Sequence, residues 1–151
     1  ASDSYLSPSH AEFTFQGSGV VVKVLESLNG IYLRIARDIP TVIPNGCVFR
    51  IGQEILQVQH LTPSTGADGT ELMGSPNGGA TARIQLVIGR DTFGNAYPIP
   101  ASGMHLGRER GDIIFPEDGY VSGLHCRLHY EGGEVHPTDL GSSNGTFVRL
   151  R

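Results

Sequence analysis

The sequence predicts an all-β fold, a sandwich of two antiparallel sheets. Its apolar runs are only four to six residues long, and each is β-branched or alternates apolar with polar residues. The 21 glycines and 9 prolines are spread between these runs, and no helical periodicity is evident. Short strands with frequent turns must bury one face against a second sheet. The clearest strands are predicted at 20–25, 31–35, 47–51, 55–59 and 83–88.

Charge and composition exclude several classes of function. The 15 acidic and 11 basic residues give a net charge of -4, so no global positive field is available to hold nucleic acid or an anionic membrane. Any anion-binding site must therefore be local. No apolar run is long enough to span a bilayer and no export signal is evident, so we expect a cytoplasmic protein. Cys47 and Cys126 lie in unrelated contexts and are expected to be reduced thiols in the core.

Residues 61–82 differ in composition from the rest of the chain. They are rich in Gly, Ser, Thr and Pro, which cannot bury enough apolar surface to offset the entropy of ordering. The cluster GSPNGGATA lacks the following Lys-Ser or Lys-Thr of a phosphate-binding loop, so we interpret it as spacer. The sequence thus predicts a flexible linker between residues 1–60 and residues 83–151.

An internal repeat links the two ends of the chain. Residues 3–36 align with residues 118–151 without a gap, and 11 of the 34 pairs are identical. The first copy continues from the repeat to about residue 60, whereas the second begins near 83 and extends to 151. Each copy lacks what the other has. We therefore expect residues 40–60 to complete the second copy, either within one molecule or by strand exchange between two.

Three motifs of the second copy resemble the forkhead-associated (FHA) domain family. They are LGRERGDIIF, SGLH and DLGSSNGTFV, in the order and with plausible spacing for that family. The resemblance covers residues 83–151, and VFRIGQEILQVQ of the first copy supplies the final strands that the family expects. It implies an FHA-type β-sandwich assembled from two incomplete copies, permuted or strand-exchanged, that binds phosphothreonine peptides in serine/threonine kinase signalling.

The resemblance also assigns the binding residues. It implies that Arg108 pairs with the phosphate, that Ser122 donates its hydroxyl, and that the backbone of Gly123 lies alongside. Ser143 and Asn144 are then expected to hold the surroundings of the phosphate and the peptide main chain. A dianion on an acidic protein needs such a set of convergent donors. Structural support is expected from Gly107, His125, Gly145 and Thr146.

A metal centre is disfavoured by the histidine spacing. In a strand, His125 and His129 would lie about 13 Å apart on one face, too far for both side chains to reach one ion without strain. We expect no metal and no cofactor, a structural role for His125, and solvated side chains for His129 and His136.

Catalysis and glycosylation are weaker interpretations. Ser122, His125 and Asp139 could form a hydrolase triad, but the sequence has no nucleophile elbow before a helix and no evident oxyanion loop. Asn144 begins a glycosylation acceptor, which would require secretion. Gly89-Arg90 lacks the motifs that should follow it. We therefore predict a binding module and not an enzyme.

The first copy keeps only part of the binding motif. Ser7, His10, Asn29 and Gly30 match the second copy, whereas Leu28 stands where the second copy has Ser143. A leucine cannot donate to phosphate, so the first copy is expected either to be a degenerate domain kept for packing and interaction or to be half of a recognition unit that a segment outside this chain completes. The alternative function for the whole chain is a phospho-independent oligomerisation module that exchanges strands between the incomplete copies.

Overall fold

The computed structural model describes residues 3–62, 68–70 and 80–151, which form strands and turns and no helix. Most of the predicted linker, residues 63–67 and 71–79, lies outside the described residues. The described chain therefore contains no helix that could cross a membrane. The all-β prediction is confirmed. The chain divides into two compact units, Ala1–Leu33 with Arg149–Arg151, and Arg34–Val148. We call them the hairpin unit and the sandwich unit.

The hairpin unit consists mainly of two antiparallel strands, β1 (Ala11–Gln16) and β2 (Gly19–Val24). The turn between them contains Gly17, which has a φ of 59° that favours glycine. A third strand, β3 (Tyr32–Arg34), begins at the end of this unit. Several large apolar side chains of β1 and β2 are exposed, so the hairpin has no core of its own.

The first sheet of the sandwich unit is built from both copies of the repeat. It contains β4 (Val48–Ile51), β5 (Glu54–His60), β6 (Ala82–Gly89), β7 (Thr92–Ile99) and β12 (Thr146–Arg149), in the spatial order β12-β4-β5-β6-β7. All these neighbours are antiparallel. β7 carries Pro98 and lies at the edge, where a missing N–H costs no ladder bond.

The second sheet contains β8 (Met104–Gly107), β9 (Ile113–Ile114), β10 (Cys126–Glu131) and β11 (Glu134–Asp139). Its order is β11-β10-β8-β9, with β8 and β9 parallel and the other pairs antiparallel. Burial alternates along β4, β10 and β11 because successive side chains point to opposite faces. Each strand thus buries one face in the core between the sheets.

The strands of residues 40–60 complete the sandwich of the second copy within one chain. β4 pairs with β12 from Phe49↔Val148 to Ile51↔Thr146, and β5 pairs with β6 from Leu56↔Leu86 to His60↔Ala82. Among the residues that the structure describes, sixteen form the buried apolar core, and six of them come from this segment: Ile43, Cys47, Phe49, Ile51, Leu56 and Val58. Residues 40–60 thus supply the strands that the second copy lacks. Both cysteines lie in its core as thiols.

Candidate functional site

Backbone hydrogen bonds bring the Gly-Arg motif and the Ser-Gly motif together. The Arg108 N–H donates to the Ser122 carbonyl at 2.9 Å, and the Arg110 N–H donates to the Gly123 carbonyl at 2.8 Å. A β-carbon on Gly107 would collide with the carbonyls of Arg110 and Gly123. Glycine at position 107 therefore permits the close approach that places the Arg108 side chain beside the Ser122 loop.

The Arg108 side chain is 36% exposed and lies at the surface of this loop cluster. Its guanidinium donates to the carboxylate of the neighbouring Glu109 at 2.9 Å and makes a longer contact of 3.5 Å with the Gly119 carbonyl. The ion pair is solvent-accessible, so it contributes little to stability. An incoming anion could replace the Glu109 carboxylate as the partner of Arg108.

The Asn-Gly turn joins the same cluster. The Ser143 N–H donates to the Ser122 hydroxyl at 3.0 Å, and the Asn144 side-chain amide donates to the Tyr120 carbonyl at 2.9 Å. Both Ser143 and Asn144 are exposed, while Gly145 has a φ of 90°, which favours glycine. Arg108, Ser122, Gly123, Ser143 and Asn144 therefore belong to adjoining loops at one end of the sandwich unit.

His125 is fully buried and holds the two loops together. Its Nδ1 accepts the Ser122 N–H at 3.0 Å, and its Nε2 lies 3.0 Å from the Gly145 carbonyl. An atom that accepts an N–H carries no proton, and an atom that faces a carbonyl must donate one, so the ring is the neutral Nε2–H tautomer. Burial lowers the pKa of His125, although the Gly145 carbonyl and the Asp139 carboxylate oppose this. The His125 ring thus connects the Ser122 loop to the Asn-Gly turn.

The buried carboxylate of Asp139 holds the Asn-Gly turn in place through hydrogen bonds. Asp139 accepts the Ser142 hydroxyl at 2.6 Å and the Thr146 hydroxyl at 2.7 Å, and Ser142 in turn accepts the Gly145 N–H at 2.9 Å. Burial alone would raise the pKa of Asp139, but the hydrogen bonds from Ser142, Thr146 and Gly141 outweigh burial, so the pKa is lowered. Sequence reasoning missed Ser142, although its identity with Ser27 in the repeat was a usable signal.

Asp118 links the binding loop to the strands supplied by the first copy. It is 5% exposed, and its carboxylate accepts the Gln53 N–H at 2.6 Å and the Tyr120 N–H at 2.9 Å. Gln53 lies in the turn between β4 and β5. Because Asp118 immediately precedes the loop that carries Ser122, residues 40–60 support the candidate site as well as the core. Sequence reasoning missed this contact, and only the identity of Asp3 with Asp118 hinted at it.

The structure gives the hydrolase triad no support. Both ring nitrogens of His125 are engaged by backbone groups, while the Ser122 hydroxyl accepts the Ser143 N–H. Asp139 lies 4.0 Å from the His125 ring. His125 is therefore not placed to take a proton from the Ser122 hydroxyl.

The expectation of a solvated side chain is wrong for His129, and it holds only in part for His136. The His129 side chain is only 17% exposed, and His136 is half-buried. Residues 129 and 136 are directly opposite on β10 and β11, and their rings stack with centroids 5.0 Å apart. The alternation of apolar and polar residues along each strand could not predict this pairing, because it does not give the register between two strands.

The hairpin unit repeats the hydrogen bonds of the candidate site at residue numbers 115 lower (122 − 7 = 115). The Ser7 N–H donates to His10 at 3.1 Å, the Leu28 N–H donates to the Ser7 hydroxyl at 3.3 Å, and Asn29 donates to the Tyr5 carbonyl at 2.9 Å. The two units differ in the residue that bonds to the serine hydroxyl of the turn. Val24 replaces Asp139 in the repeat, so the Ser27 hydroxyl bonds to the ring of His10 at 2.9 Å.

The lowered pKa of His125 makes the sandwich acid-sensitive. The unfolded chain binds this proton with a pKa of about 6.5, above that of the folded chain. The contribution to the free energy of unfolding is therefore complete above about pH 6.5, and it is lost as pH falls through the folded-state pKa. We expect a lower thermal midpoint at about pH 5 than at about pH 7.5, and an NMR titration that keeps the His125 ring neutral below about pH 6.5. Increased stability on acidification over this range would contradict the assigned tautomer.

A family model matches the chain in two segments that lie on either side of the predicted linker. The model of the family described as FHA domain matches residues 1–52 and 86–151. The glycogen accumulation regulator GarA of Mycolicibacterium smegmatis is 36% identical over 76 residues, which are 50% of this chain and 46% of that protein. The chain thus spans about half the length of this curated relative. No solved structure matches the chain significantly.

Proposed function

Because the chain belongs to the FHA domain family, we propose that it is a phosphothreonine-peptide binding module that acts in signalling by serine/threonine kinases. One observation carries the proposal. The three motifs of the second copy, separated by up to 38 residues in sequence (145 − 107 = 38), adjoin at one end of the sandwich unit through the hydrogen bonds of Ser122 and His125. Such preorganised donors suit a dianion, since each charge-assisted bond is worth about 1.5–3 kcal/mol net.

The proposed roles follow the position of each group. Arg108 pairs with the phosphate, the Ser122 hydroxyl and the Gly123 backbone complete its surroundings, and Ser143 and Asn144 hold the peptide main chain. Gly107, His125, Gly145 and Thr146 keep the loops in place. When a peptide binds, the Asn144 side-chain amide either leaves the Tyr120 carbonyl or keeps that bond and accepts a peptide N–H through its oxygen.

The proposed partner is a phosphothreonine-containing protein or peptide linked to a serine/threonine kinase, with no nucleic acid or membrane involved. The name of GarA describes a regulator, which fits a module that acts by binding. We also propose that residues 1–60 and 83–151 derive from two copies of one domain, that residues 61–82 connect them, and that the protein works in the cytoplasm, where threonine kinases act.

A degenerate peptide library with a fixed central residue tests the proposal. The central residue would be phosphothreonine, phosphoserine or threonine, with all flanking residues matched. We expect retention of the phosphothreonine set and weaker retention of the phosphoserine set, because one buried methyl is worth about 0.8 kcal/mol. Equal retention of the unphosphorylated set would refute phosphopeptide recognition.

Glu109 is expected to weaken phosphopeptide binding in the wild-type protein. Its carboxylate holds the guanidinium of Arg108 at 2.9 Å, so a phosphate must displace it. Glu109→Gln removes this competition. Because an exposed ion pair is worth at most about 1 kcal/mol, affinity should rise by up to about fivefold in a calorimetric titration.

Glu117→Gln is the matched control, because Glu117 is also exposed and lies in the same loop region. Both substitutions change the net charge equally. If they raised the affinity equally, the gain would reflect net charge alone and the role assigned to the Glu109 contact would be wrong.

Oligomerisation by strand exchange is the second candidate function. It is favoured by the exposed apolar side chains of β1 and β2, including Phe13, which is 67% exposed, and Phe15, which is 83% exposed. Two molecules could exchange strands because each carries the same complementary segments. A concentration-dependent dimer in sedimentation velocity that ignores added phosphopeptide would favour this function over the first.

A further inference from the structure

The apolar side chains of the β1–β2 hairpin are exposed at positions whose equivalents in β10 and β11 are buried. Phe13 is 67% exposed, whereas its equivalent Leu128 is 0% exposed. Val20 is 53% exposed, whereas its equivalent Val135 is 0% exposed. The two hairpins therefore carry the same kind of apolar face, and only one of them is covered.

The structure shows what covers such a face. In the sandwich unit, Leu128 and Val135 pack in one core with side chains of residues 34–60 and 82–117, among them Phe49, Leu56 and Ile84. Residues 34–60 and 82–117 supply the strands and loops around β10 and β11, and all of them except residues 34–36, which correspond to residues 149–151, occur once in the chain. We call these two segments the frame. The frame holds residues 118–148, and residues 3–33 are their equivalents in the repeat.

An open cleft of about 520 Å³ marks the uncovered face in the hairpin unit. It is lined on one side by Leu6, Ala11 and Phe13. The equivalents of these residues are Val121, Cys126 and Leu128, which are at most 1% exposed because the frame packs on them. The cleft is therefore the space that the frame would fill.

Equivalent residues at the ends of both segments make equivalent backbone hydrogen bonds. The Ile35 N–H donates to the Thr146 carbonyl at 3.0 Å in the sandwich unit, and the Leu150 N–H donates to the Ile31 carbonyl at 2.7 Å in the hairpin unit. Residues 35 and 150, and residues 31 and 146, are equivalent in the repeat (150 − 35 = 146 − 31 = 115). The two bonds are thus the same bond made once in each unit.

We propose that residues 3–33 compete with residues 118–148 for the frame, and that this exchange within one chain switches phosphate binding off. Residue 33 is bonded directly to the frame at residue 34, so the competing segment is always held at high effective concentration. In the exchanged state Arg108 would face Leu28 in place of Ser143, and Val24 in place of Asp139 would leave the turn without its carboxylate. The regulatory consequence rests on the proposed function, whereas the exchange itself does not.

Two engineered thiol pairs distinguish the states. His105 is directly opposite Arg127 across β8 and β10, so the pair His105→Cys with Arg127→Cys should form a disulfide in the observed state. Glu12 is the equivalent of Arg127, so His105→Cys with Glu12→Cys should form a disulfide only after exchange. All three side chains are at least partly exposed, so the substitutions spare the core.

Lys23 provides the matched control. It is exposed and lies directly opposite Glu12 on the hairpin, but its equivalent Thr138 is on β11, which does not adjoin β8. His105→Cys with Lys23→Cys thus reports random collision and global unfolding alone. The native thiols should stay silent, because burial raises the pKa of Cys126 and both cysteines lie in the core.

The experiment follows disulfide formation under a mild added oxidant by non-reducing electrophoresis and peptide mapping. We expect the Glu12 pair to cross-link within monomers at least about tenfold faster than the Lys23 pair, since exchange places it at contact distance. Adding Leu128→Ala, which weakens the packing of residues 118–148, should raise the rate of the Glu12 pair further. Equal rates for the two pairs, or a Glu12 cross-link found only in covalent dimers, would overturn the proposal.

A phosphothreonine peptide separates the exchange from its consequence. Bound peptide should slow the Glu12 cross-link, because it stabilises the state that holds residues 118–148. An unchanged rate with a peptide that binds the wild-type protein would overturn the regulatory link. If no phosphopeptide bound the wild-type protein, the proposed function would fail, while the comparison of the two thiol pairs would still decide the exchange.

Discussion

Residues 83–151 produced without the rest of the chain are expected to be unfolded or insoluble. They lose five large core side chains that are 0% exposed in the intact sandwich, namely Ile43, Phe49, Ile51, Leu56 and Val58. Each such side chain contributes about 1.5–3 kcal/mol on burial, so the total rivals the stability of about 5–15 kcal/mol that whole domains have. The fragment also exposes the edges of β6 and β12 where β5 and β4 pair with them. Circular dichroism and amide dispersion in NMR spectra measure the outcome.

The control is a fragment of residues 34–148, which keeps the whole sandwich unit and removes the hairpin unit. We expect it to unfold cooperatively and to bind the same peptides as the full chain. A soluble, cooperatively folded 83–151 fragment would contradict the view that the first copy completes the second.

Arg108→Ala is expected to reduce affinity for a phosphothreonine peptide by roughly 100-fold or more, because it removes about two charge-assisted bonds worth about 1.5–3 kcal/mol each. The fold should be unaffected, since the Arg108 side chain is partly exposed and its ion pair with Glu109 is at the surface. Calorimetric titration and a thermal melt measure the two effects separately.

Two control variants test whether the loss of affinity is specific to Arg108. Arg110→Ala removes the same charge from an exposed neighbouring position, and Ser7→Ala changes the equivalent of Ser122 in the hairpin unit. Both should leave affinity within about twofold, since neither side chain belongs to the proposed phosphate contacts and such surface substitutions usually change free energies by no more than about 0.5 kcal/mol. An equal loss of affinity for Arg108→Ala and Arg110→Ala would show that the protein recognises charge without a specific phosphate contact.

The fold class, and the completion of the second copy by the first, could be predicted from the sequence because both depend on patterns of residues within it. Short apolar runs and turn residues specify strands, and the repeat identified residues 40–60 as the segment missing from the second copy. The five strands named from the sequence correspond to β2 to β6, whereas β1 and β7 to β12 were not named. Gly94 and Pro98 interrupt the pattern of β7, and β9 is only two residues long. Strands were thus predictable where apolar residues dominate, and not where polar residues, glycine or proline interrupt a short run.

The site was less predictable because its support comes from residues that are distant in sequence. The partners of Asp118 are the amides of Tyr120 and Gln53, and Gln53 is 65 residues away. The stacking of His129 on His136 likewise depends on the register of two strands. These contacts depend on tertiary pairing, which neither composition nor spacing encodes, whereas the motifs around Arg108, Ser122 and Asn144 could be recognised directly.

Titration of the isotope-labelled full chain with a phosphothreonine peptide, followed by backbone amide NMR, decides which copy binds the phosphate. We expect saturable shifts at residues 107–109, 122–124 and 143–145, with no comparable shifts at residues 7–10 and 28–30 of the first copy. The unphosphorylated peptide should leave all these amides unchanged. Shifts centred on the first copy, or equal shifts with the unphosphorylated peptide, would contradict the assignment of the phosphate site to the second copy.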